Sequence, residues 1–196
     1  MSDLIADLFV SLDGFAAGEN AGPFFGYGGD EALELAEWVR DALSMPQLVV
    51  MGRVTYEAMS AISMRAADEV GARMSDLPKA VVSNTLAEPL AWPNTRLVRG
   101  ELSASIRALK RESDVPLRTI GSVTLVNSLM RLGLVDLFRV MIFPLTLGAD
   151  GREPIYAGYA RAGLELANVQ VLDSRLVVLE YRPGAGVTTW RGDDGW

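Results

Sequence analysis

Short apolar segments alternate with longer amphipathic segments along the first two thirds of the chain. The apolar segments, typical of buried strands, are 4–12, 48–51, 79–83, 96–98, 117–120 and 136–143. Between them apolar residues recur at helical spacing, as Leu102, Ile106 and Leu109 do at i, i+4 and i+7. Strands that alternate with helices are joined by crossovers, so the pattern predicts an α/β fold with a mainly parallel central sheet.

The end of the chain follows a different pattern. Two apolar segments, 164–172 and 175–181, meet at Asp173-Ser174, a dipeptide that favours a hairpin turn. We therefore expect an antiparallel hairpin at the edge of the parallel sheet, and a single domain that spans residues 1–182.

Residues 183–196 form a predicted C-terminal tail that is polar except for Trp190 and Trp196. A free tail seldom retains aromatic side chains without burying them, so we expect these two to pack on this subunit or on a partner. Together with the closing strands they indicate a homodimer.

Residues 14–29 are rich in glycine and predict a long irregular loop, which in a compact domain is typical of a functional lid. Apolar residues then return at helical spacing. We expect this first helix to begin at Asp30, which is a suitable N-cap.

Composition narrows the class of protein. Of the 196 residues 49% are hydrophobic and 22% are charged, as in an ordinary globular domain. No apolar run approaches the roughly 20 residues of a membrane span. The N-terminus carries acids where a secretory signal has bases, so we expect a cytoplasmic protein with no membrane partner. The net charge of −7 and the scattered basic residues argue against a nucleic-acid partner.

The sequence contains no histidine and no cysteine. Their absence removes Ser-His-Asp and Cys-His triads, disulfides, thiol chemistry and histidine metal ligands. We expect no metal site, and any catalysis depends on carboxylates, hydroxyls, backbone amides, water or a cofactor.

Three junctions after predicted strands carry small or hydrogen-bonding residues. Open α/β sheets bind ligands at the carboxyl ends of their strands, where these junctions should converge. At the first, Gly52 lets the chain approach a ligand, and Arg53 and Thr55 can bind phosphate oxygens at the start of a helix. The same residues could form an ordinary strand-helix turn with a surface arginine.

The second junction is Gly121-Ser122-Val123-Thr124, which opens another helix with hydroxyl groups suited to a pyrophosphate. Ser122 could equally be no more than the N-cap of that helix. Hydroxyl groups and a helix N-terminus at two neighbouring junctions would give two anion sites.

The third junction comprises Ser83 and Asn84 after one strand and Arg99 after the next. These residues could hold a ribose phosphate or an adenine, although Asn84 could simply make a turn. Two anion sites and a third polar junction suit a dinucleotide better than a single phosphate. The chain has no G-x-G-x-x-G after its first strand and no P-loop motif, so the usual dinucleotide fold is not expected.

Several segments are similar to motifs of the dihydrofolate-reductase-like superfamily. They are VSLDGFAAG at 10–18, MGRVTYE at 51–57, VSNTL at 82–86, GLVD at 133–136 and PLTLG at 144–148. The chain most closely resembles the reductase domain of the bifunctional riboflavin-biosynthesis deaminase/reductase and its stand-alone relatives. The resemblance runs from about residue 4 to residue 182.

This resemblance implies a three-layer dihydrofolate-reductase-like fold in which NADPH lies across the strand ends. It implies an oxidoreductase that acts on CH-OH or CH-NH groups of a small pyrimidine- or pteridine-like substrate, as in 5-amino-6-(5-phosphoribosylamino)uracil reduction. The matching positions are Gly52, Arg53 and Thr55 for phosphate, Ser83 and Asn84 for the adenosine part, and Gly121, Ser122, Val123 and Thr124 for the pyrophosphate.

The chain departs from the family at three positions, and these departures leave the substrate open. Ser122 stands where family members often carry a second glycine, and Leu137 stands where they carry a glutamate. Phe15 replaces the lysine that riboflavin reductases commonly place after the Asp-Gly turn.

Asp13 is the candidate for the polar group that faces the substrate, directly or through a water, although Asp-Gly also favours turns. Two other functions stay open. A dihydrofolate reductase would need an acid of the first helix, namely Asp30, Glu31 or Glu34, each of which could be a solvated first-turn acid. A catalytically idle nucleotide-binding protein would keep the fold without turnover.

Overall fold

The computed structural model describes residues 1–66, 68–158 and 162–184. The last strand extends to Gly184, two residues beyond the predicted end of the domain. Trp190 and Trp196, and the predictions made for them, lie outside the described residues. No helix within the described ranges is long and apolar enough to cross a membrane. The cytoplasmic location stays a prediction.

Ten strands and five α-helices make up the described part of the chain. The strands are β1 (Leu4–Ser11), β2 (Phe15–Gly18), β3 (Leu48–Gly52), β4 (Lys79–Val82), β5 (Thr95–Val98), β6 (Leu117–Thr119), β7 (Leu137–Phe143), β8 (Gly151–Pro154), β9 (Gly163–Leu172) and β10 (Leu176–Gly184). The helices are α1 (Leu33–Ser44), α2 (Arg53–Ser63), α3 (Glu69–Asp76), α4 (Leu102–Glu112) and α5 (Val123–Arg131).

Eight strands form one sheet in the order β5-β4-β3-β6-β1-β7-β10-β9. The six strands from β5 to β7 are mutually parallel. Strand β10 runs antiparallel to β7, and β9 runs antiparallel to β10. The predicted α/β fold with an antiparallel C-terminal hairpin is therefore confirmed. Because six strands run in the same direction, their carboxyl ends lie along one edge of the sheet, which we call the carboxyl edge.

Helices cover both faces of the sheet, so the domain has three layers. Side chains of a strand alternate between the two faces. The even-numbered residues of β1, 4–10, pack with buried residues of α4 and α5 such as Ile106 and Val126. The opposite face packs with buried residues of α1 and α2 such as Leu43 and Tyr56. The apolar faces of the helices thus fix the sheet between them.

A row of charged side chains crosses the sheet beneath α1. The buried Asp7 carboxylate accepts a hydrogen bond from Arg118 Nε at 2.6 Å and forms an ion pair with Arg139 at 3.4 Å. Arg139 Nε in turn lies 2.7 Å from the Glu180 carboxylate. The Trp38 ring of α1 lies over both guanidinium groups, at 5.4 and 5.5 Å. These cation–π contacts anchor α1 to the sheet.

Two predictions about residues 14–33 are wrong. The predicted irregular loop contains β2, which pairs with β8 so that Phe15 lies opposite Pro154. Each of these strands has four residues, too few to show a periodic pattern. The first helix begins at Leu33 rather than Asp30, because Gly29–Glu31 forms a separate 3₁₀ turn.

Candidate functional site

Two helices begin side by side at the carboxyl edge. Helix α2 follows β3 directly, and α5 begins a few residues after β6. Because β3 and β6 are hydrogen-bonded neighbours, the N-termini of α2 and α5 meet at the same point. We call this point the β3/β6 site, formed by Gly52, Arg53, Thr55, Gly121 and Ser122.

Ser122 joins the two halves of the β3/β6 site. Its hydroxyl accepts a hydrogen bond from the Gly52 amide at 3.0 Å and donates one to the Thr55 hydroxyl at 2.6 Å. Ser122 has φ 61° and ψ 58°, the left-handed conformation that favours glycine. Its side chain therefore points across to α2 instead of capping α5. The predicted convergence of the first two junctions is confirmed.

The five helices differ in how their N-terminal amides are satisfied. The carboxylates of Asp173, Asp68 and Glu101 accept hydrogen bonds of 2.7 to 3.1 Å from the first amides of α1, α3 and α4. Among the described residues, no side chain caps α2 or α5. Uncapped amides at a helix N-terminus favour an anion. The β3/β6 site thus offers two such sets of amides together.

Arg53, the first residue of α2, lies on the rim of the β3/β6 site. Its guanidinium forms an ion pair with Glu57 one helical turn later, at 2.9 Å, and its side chain is 45% exposed. An exposed pair of this kind is weak, so the guanidinium is free to exchange Glu57 for another anion. Val123 and Thr124 are the first two residues of α5, and Thr124 is exposed. Phosphate contacts by these residues stay predictions.

The third junction lies on the β4 and β5 side of the β3/β6 site. The Asn84 side chain accepts a hydrogen bond from the Gly100 amide at 2.8 Å, and Arg99 donates to the carbonyls of Asn84 and Leu86 at 3.2 and 2.6 Å. The Ser83 hydroxyl accepts from the Leu86 amide at 3.1 Å. These contacts tie the two loops together. Contact of Ser83, Asn84 or Arg99 with a nucleotide stays a prediction.

Asp13 ties the β1–β2 turn to the loop after β7. Its carboxylate accepts hydrogen bonds from the Ser11 hydroxyl at 2.6 Å and from the amides of Leu147 and Gly148 at 3.0 and 2.8 Å. These donors, Ser11 first, lower the pKa of Asp13. Asp13 is therefore ionised at neutral pH and is not poised to donate a proton. Its other expected role, to order a water, stays a prediction.

Beyond β1 the carboxyl edge becomes aromatic. Six rings from β1, the loop after β2, α1 and the end of β7 pack against one another, with centroids 5.3 to 6.3 Å apart. They are Phe9, Phe24, Phe25, Tyr27, Trp38 and Phe143, which we call the aromatic cluster. Only β1 separates β6 from β7 in the sheet, so about 10 Å divides this cluster from the β3/β6 site.

The three acids considered for a dihydrofolate reductase lie on the exposed rim of the aromatic cluster. Glu31 forms an ion pair with Arg175 at 2.7 Å and its side chain is 73% exposed. The Glu34 carboxylate accepts from the Asp173 amide, and Asp30 is exposed. All three acids are exposed, and of the three only Glu34 belongs to α1. A role for one of them in a dihydrofolate reductase stays a prediction. The described residues also contain no cluster of acids that could hold a metal ion.

The model of the RibD C-terminal domain family matches residues 3–178. The chain belongs to this family. Its members are reductase-like domains of the riboflavin pathway, and the fold agrees with the dihydrofolate-reductase-like superfamily. Protein YyaP of Bacillus subtilis, whose function is uncharacterized, is 24% identical over 190 residues, which cover 91% of this chain and 93% of YyaP.

Solved structures share the fold. A Shewanella protein provisionally named as a riboflavin biosynthesis protein superposes with a TM-score of 0.70 at 20% identity, over 93% of this chain and 99% of that chain. A pyrimidine reductase-like protein of Corynebacterium diphtheriae gives 0.64 at 13% identity, over 94% and 93%. A deaminase/5-amino-6-(5-phosphoribosylamino)uracil reductase of Thermotoga maritima gives 0.63 at 17% identity, but this chain covers only 57% of it.

Sequence patterns missed two features beside the candidate site. Asp173 caps α1 from a position 139 residues away from Glu34, and no local pattern signals such a contact. The aromatic cluster joins four separate segments of the chain. The aromatic residues of the loop at 22–29 were the available signal, because aromatic side chains in a glycine-rich loop need a surface to pack on.

Proposed function

We propose that this RibD-family domain is an NADPH-dependent reductase of a small pyrimidine- or pteridine-like ring. The observation that supports this proposal most strongly is the pair of uncapped helix N-termini at the β3/β6 site, joined by Ser122. A pyrophosphate carries two adjacent anionic groups, and two sets of free amides match it better than they match a single phosphate.

The rest of the carboxyl edge fits an extended dinucleotide. Strands β5, β4, β3 and β6 are consecutive in the sheet, so their ends span about 14 Å. We propose that the adenosine part lies near Ser83, Asn84 and Arg99, and that the pyrophosphate lies between α2 and α5. The nicotinamide then points towards the end of β1 and the aromatic cluster. Arg53 adds a positive charge beside the phosphates.

When bound, NADPH supplies the hydride. The chain binds and orients the cofactor. The amides of α2 and α5 hold the phosphates, and the turn held by Asp13 covers the end of β1. We assign the accompanying proton to water, since the chain has no histidine and Asp13 is ionised. Asp13 is the residue placed to order that water. The Thermotoga maritima relative, a uracil-derivative reductase by name, provides the model for the reaction type.

A thermal melt with NADPH and with NADH tests the proposal. A ligand at 100 times its Kd adds about 2.7 kcal/mol, which raises the Tm of a domain of this size by about 5 to 10 °C. We expect a shift of this size with NADPH and a smaller one in Arg53→Ala. Arg111→Ala, which removes an exposed arginine at the far end of α4, is the matched control. No shift with either nucleotide would refute the proposal and favour a protein that binds neither.

We also propose that the domain forms a homodimer through β9. Leu164, Leu166, Val169 and Val171 of this edge strand are 41 to 57% exposed. A second copy would bring the same apolar side chains to the interface, as two-fold symmetry requires. Light scattering should show a dimer at micromolar concentration that Val169→Glu dissociates. Gln170→Glu, on the opposite face of β9, should leave it intact, and a monomeric parent protein would contradict the proposal.

A further inference from the structure

In the proposed arrangement the nicotinamide points towards the aromatic cluster, so this cluster is the candidate place for the substrate ring. Phe143 is the last residue of β7 and is fully buried, so it forms the floor of the cluster. The Phe24 ring stacks on it at 6.3 Å with an interplanar angle of 29°, and also contacts Phe9 at 5.4 Å. Phe24 is itself partly exposed. A planar ring from the loop after β2 thus already covers the side chains of Phe143 and Phe9.

The segment that carries Phe24 has an unfavourable backbone. Phe24 has φ 52° and Phe25 has φ 55°, and both are in the left-handed region. For a bulky side chain this conformation is rare and costs energy. Gly26 follows the two residues and permits rearrangement of the chain there, while Pro23 precedes them and fixes its own φ. The packing of the rings on Phe143 holds the segment in place, and a ligand ring that made the same contacts would release it.

The charges on the exposed rim of the cluster are mainly negative. Arg118 and Arg139, which contact Trp38, are already paired with Asp7 and Glu180. Asp30 and Glu31 lie in the 3₁₀ turn before α1, and Glu34 lies in its first turn. The nearby Arg175 is already paired with Glu31 at 2.7 Å. The first amides of α1 would otherwise attract an anion, but the Asp173 carboxylate accepts from both Glu34 and Leu35. A phosphate at this position would meet carboxylates, and the amides of Glu34 and Leu35 are already bonded to Asp173.

We propose that the substrate is a planar, uncharged nitrogen heterocycle without a phosphate group, which replaces the Phe24 ring on Phe143. This inference rests on the proposed function, since it concerns the ring that would receive the hydride. A substrate without phosphate would distinguish this chain from a reductase whose substrate is a phosphoribosyl-substituted ring. The aromatic surface provides stacking area, and the acidic rim excludes substrates that carry phosphate.

Binding of matched neutral and phosphorylated rings tests the inference. Riboflavin and its 5′-phosphate share one ring system and differ only in the phosphate, and lumazine is a smaller neutral ring. Equilibrium dialysis against the full chain, with NADP⁺ present, gives the three dissociation constants. We expect at least one neutral ring to bind, and the riboflavin phosphate to bind about tenfold more weakly than riboflavin or not at all.

Two variants test whether the aromatic cluster binds the neutral rings and whether its acidic rim weakens binding of the phosphate. Phe24→Ala removes the competing ring and should tighten binding of the neutral rings about two- to tenfold. The double variant Asp30→Asn/Glu31→Gln should narrow the difference between riboflavin and its phosphate. Asp114→Asn, which removes an exposed acid just before β6 at the opposite edge of the sheet, should change neither value.

Three results would overturn the inference. The first is that riboflavin phosphate binds as tightly as riboflavin or more tightly. The second is that neither neutral ring binds the parent chain or Phe24→Ala. The third is that the double variant leaves the difference in affinity between riboflavin and its phosphate unchanged. A melt with NADPH on the same preparations separates this failure from failure of the proposed function. If NADPH raises the Tm while neutral rings fail to bind, only the substrate inference falls. If neutral rings bind without any NADPH shift, the cofactor proposal falls.

Discussion

Two places along the carboxyl edge, the β3/β6 site and the aromatic cluster, use the N-terminus of a helix in opposite ways. At the β3/β6 site, α2 and α5 begin without a side-chain cap from the described residues, and the Ser122 hydroxyl joins them. At the aromatic cluster, α1 begins with its amides bonded to the Asp173 carboxylate, which comes from the β9–β10 turn. A helix N-terminus next to a sheet edge is therefore open to an external anion where the chain supplies no carboxylate of its own.

The largest expected effect follows from giving the β3/β6 site a carboxylate of its own. Ser122→Asp places a negative charge between the two free helix N-termini, and aspartate tolerates the left-handed conformation. We expect NADPH affinity to fall about 100-fold, or about 2.7 kcal/mol, through repulsion and competition for the amides. Isothermal titration calorimetry measures this loss.

Ser122→Asn is the matched control for that experiment. Asparagine has nearly the same shape, tolerates the same backbone and carries no charge. It should retain most of the affinity. Equal losses in the two variants would show that the site responds to shape rather than to charge, and would contradict our account of the uncapped helices.

Removing the cap of α1 should reduce stability. Asp173→Ala leaves the amides of Glu34 and Leu35 without their partner, so we expect a loss of about 1 to 2 kcal/mol in the free energy of unfolding. Urea denaturation measures it. Asp173→Asn keeps a hydrogen-bond acceptor and tolerates the φ of +51° at this position, so its free energy of unfolding should fall less than that of the alanine variant. An unchanged free energy in the alanine variant would mean that Asp173 contributes nothing to α1.

The bridge between α2 and α5 should make a smaller contribution to folding. Thr55→Val removes the hydroxyl that accepts from Ser122 at 2.6 Å and keeps the side-chain shape. We expect a loss of about 1 kcal/mol in unfolding free energy. Thr124→Val, at an exposed position of α5, should cost less in the same denaturation series. Equal costs would argue against the bridge.

The smallest effect concerns Asp13, which follows β1 and lies between the β3/β6 site and the aromatic cluster. Hydrogen bonds from Ser11, Gly148 and Leu147 lower its pKa below the ordinary 3.8. The folded state therefore favours the carboxylate, which stabilises the fold above pH 3.8 and loses that contribution as pH falls through the lowered pKa. Asp13→Asn should reduce stability at pH 7, and the difference should vanish in strong acid. A difference independent of pH would contradict this assignment.

The local patterns of the sequence were sufficient for most of the fold. Alternation of apolar strands with amphipathic helices predicted the parallel sheet, and Asp173-Ser174 predicted the β9–β10 hairpin. The pattern failed for β2 and β8, because four residues are too few to show a period. It also placed the start of α1 at Asp30, since an acid before a helical pattern resembles a cap.

The candidate site and its surroundings likewise contain residues that local sequence patterns predicted and residues that they did not. Gly52, Arg53, Thr55, Gly121 and Ser122 are adjacent in sequence within two segments, and the rule that ligands bind at strand ends predicted that these segments converge. Residues that act across the fold gave no local signal. The Asp173 cap and the stack of Phe24 on Phe143 depend on contacts between segments more than a hundred residues apart, which only tertiary packing brings together.

The most direct test of the central claim is a titration of backbone amide chemical shifts with NADPH. Our account predicts that the largest changes occur at residues 53–55 and 123–125, the free N-termini of α2 and α5. The amides of Glu34 and Leu35, already bonded to Asp173, should shift little. Large changes at Glu34 and Leu35 with none at α2 and α5 would contradict the claim that uncapped helices hold the cofactor.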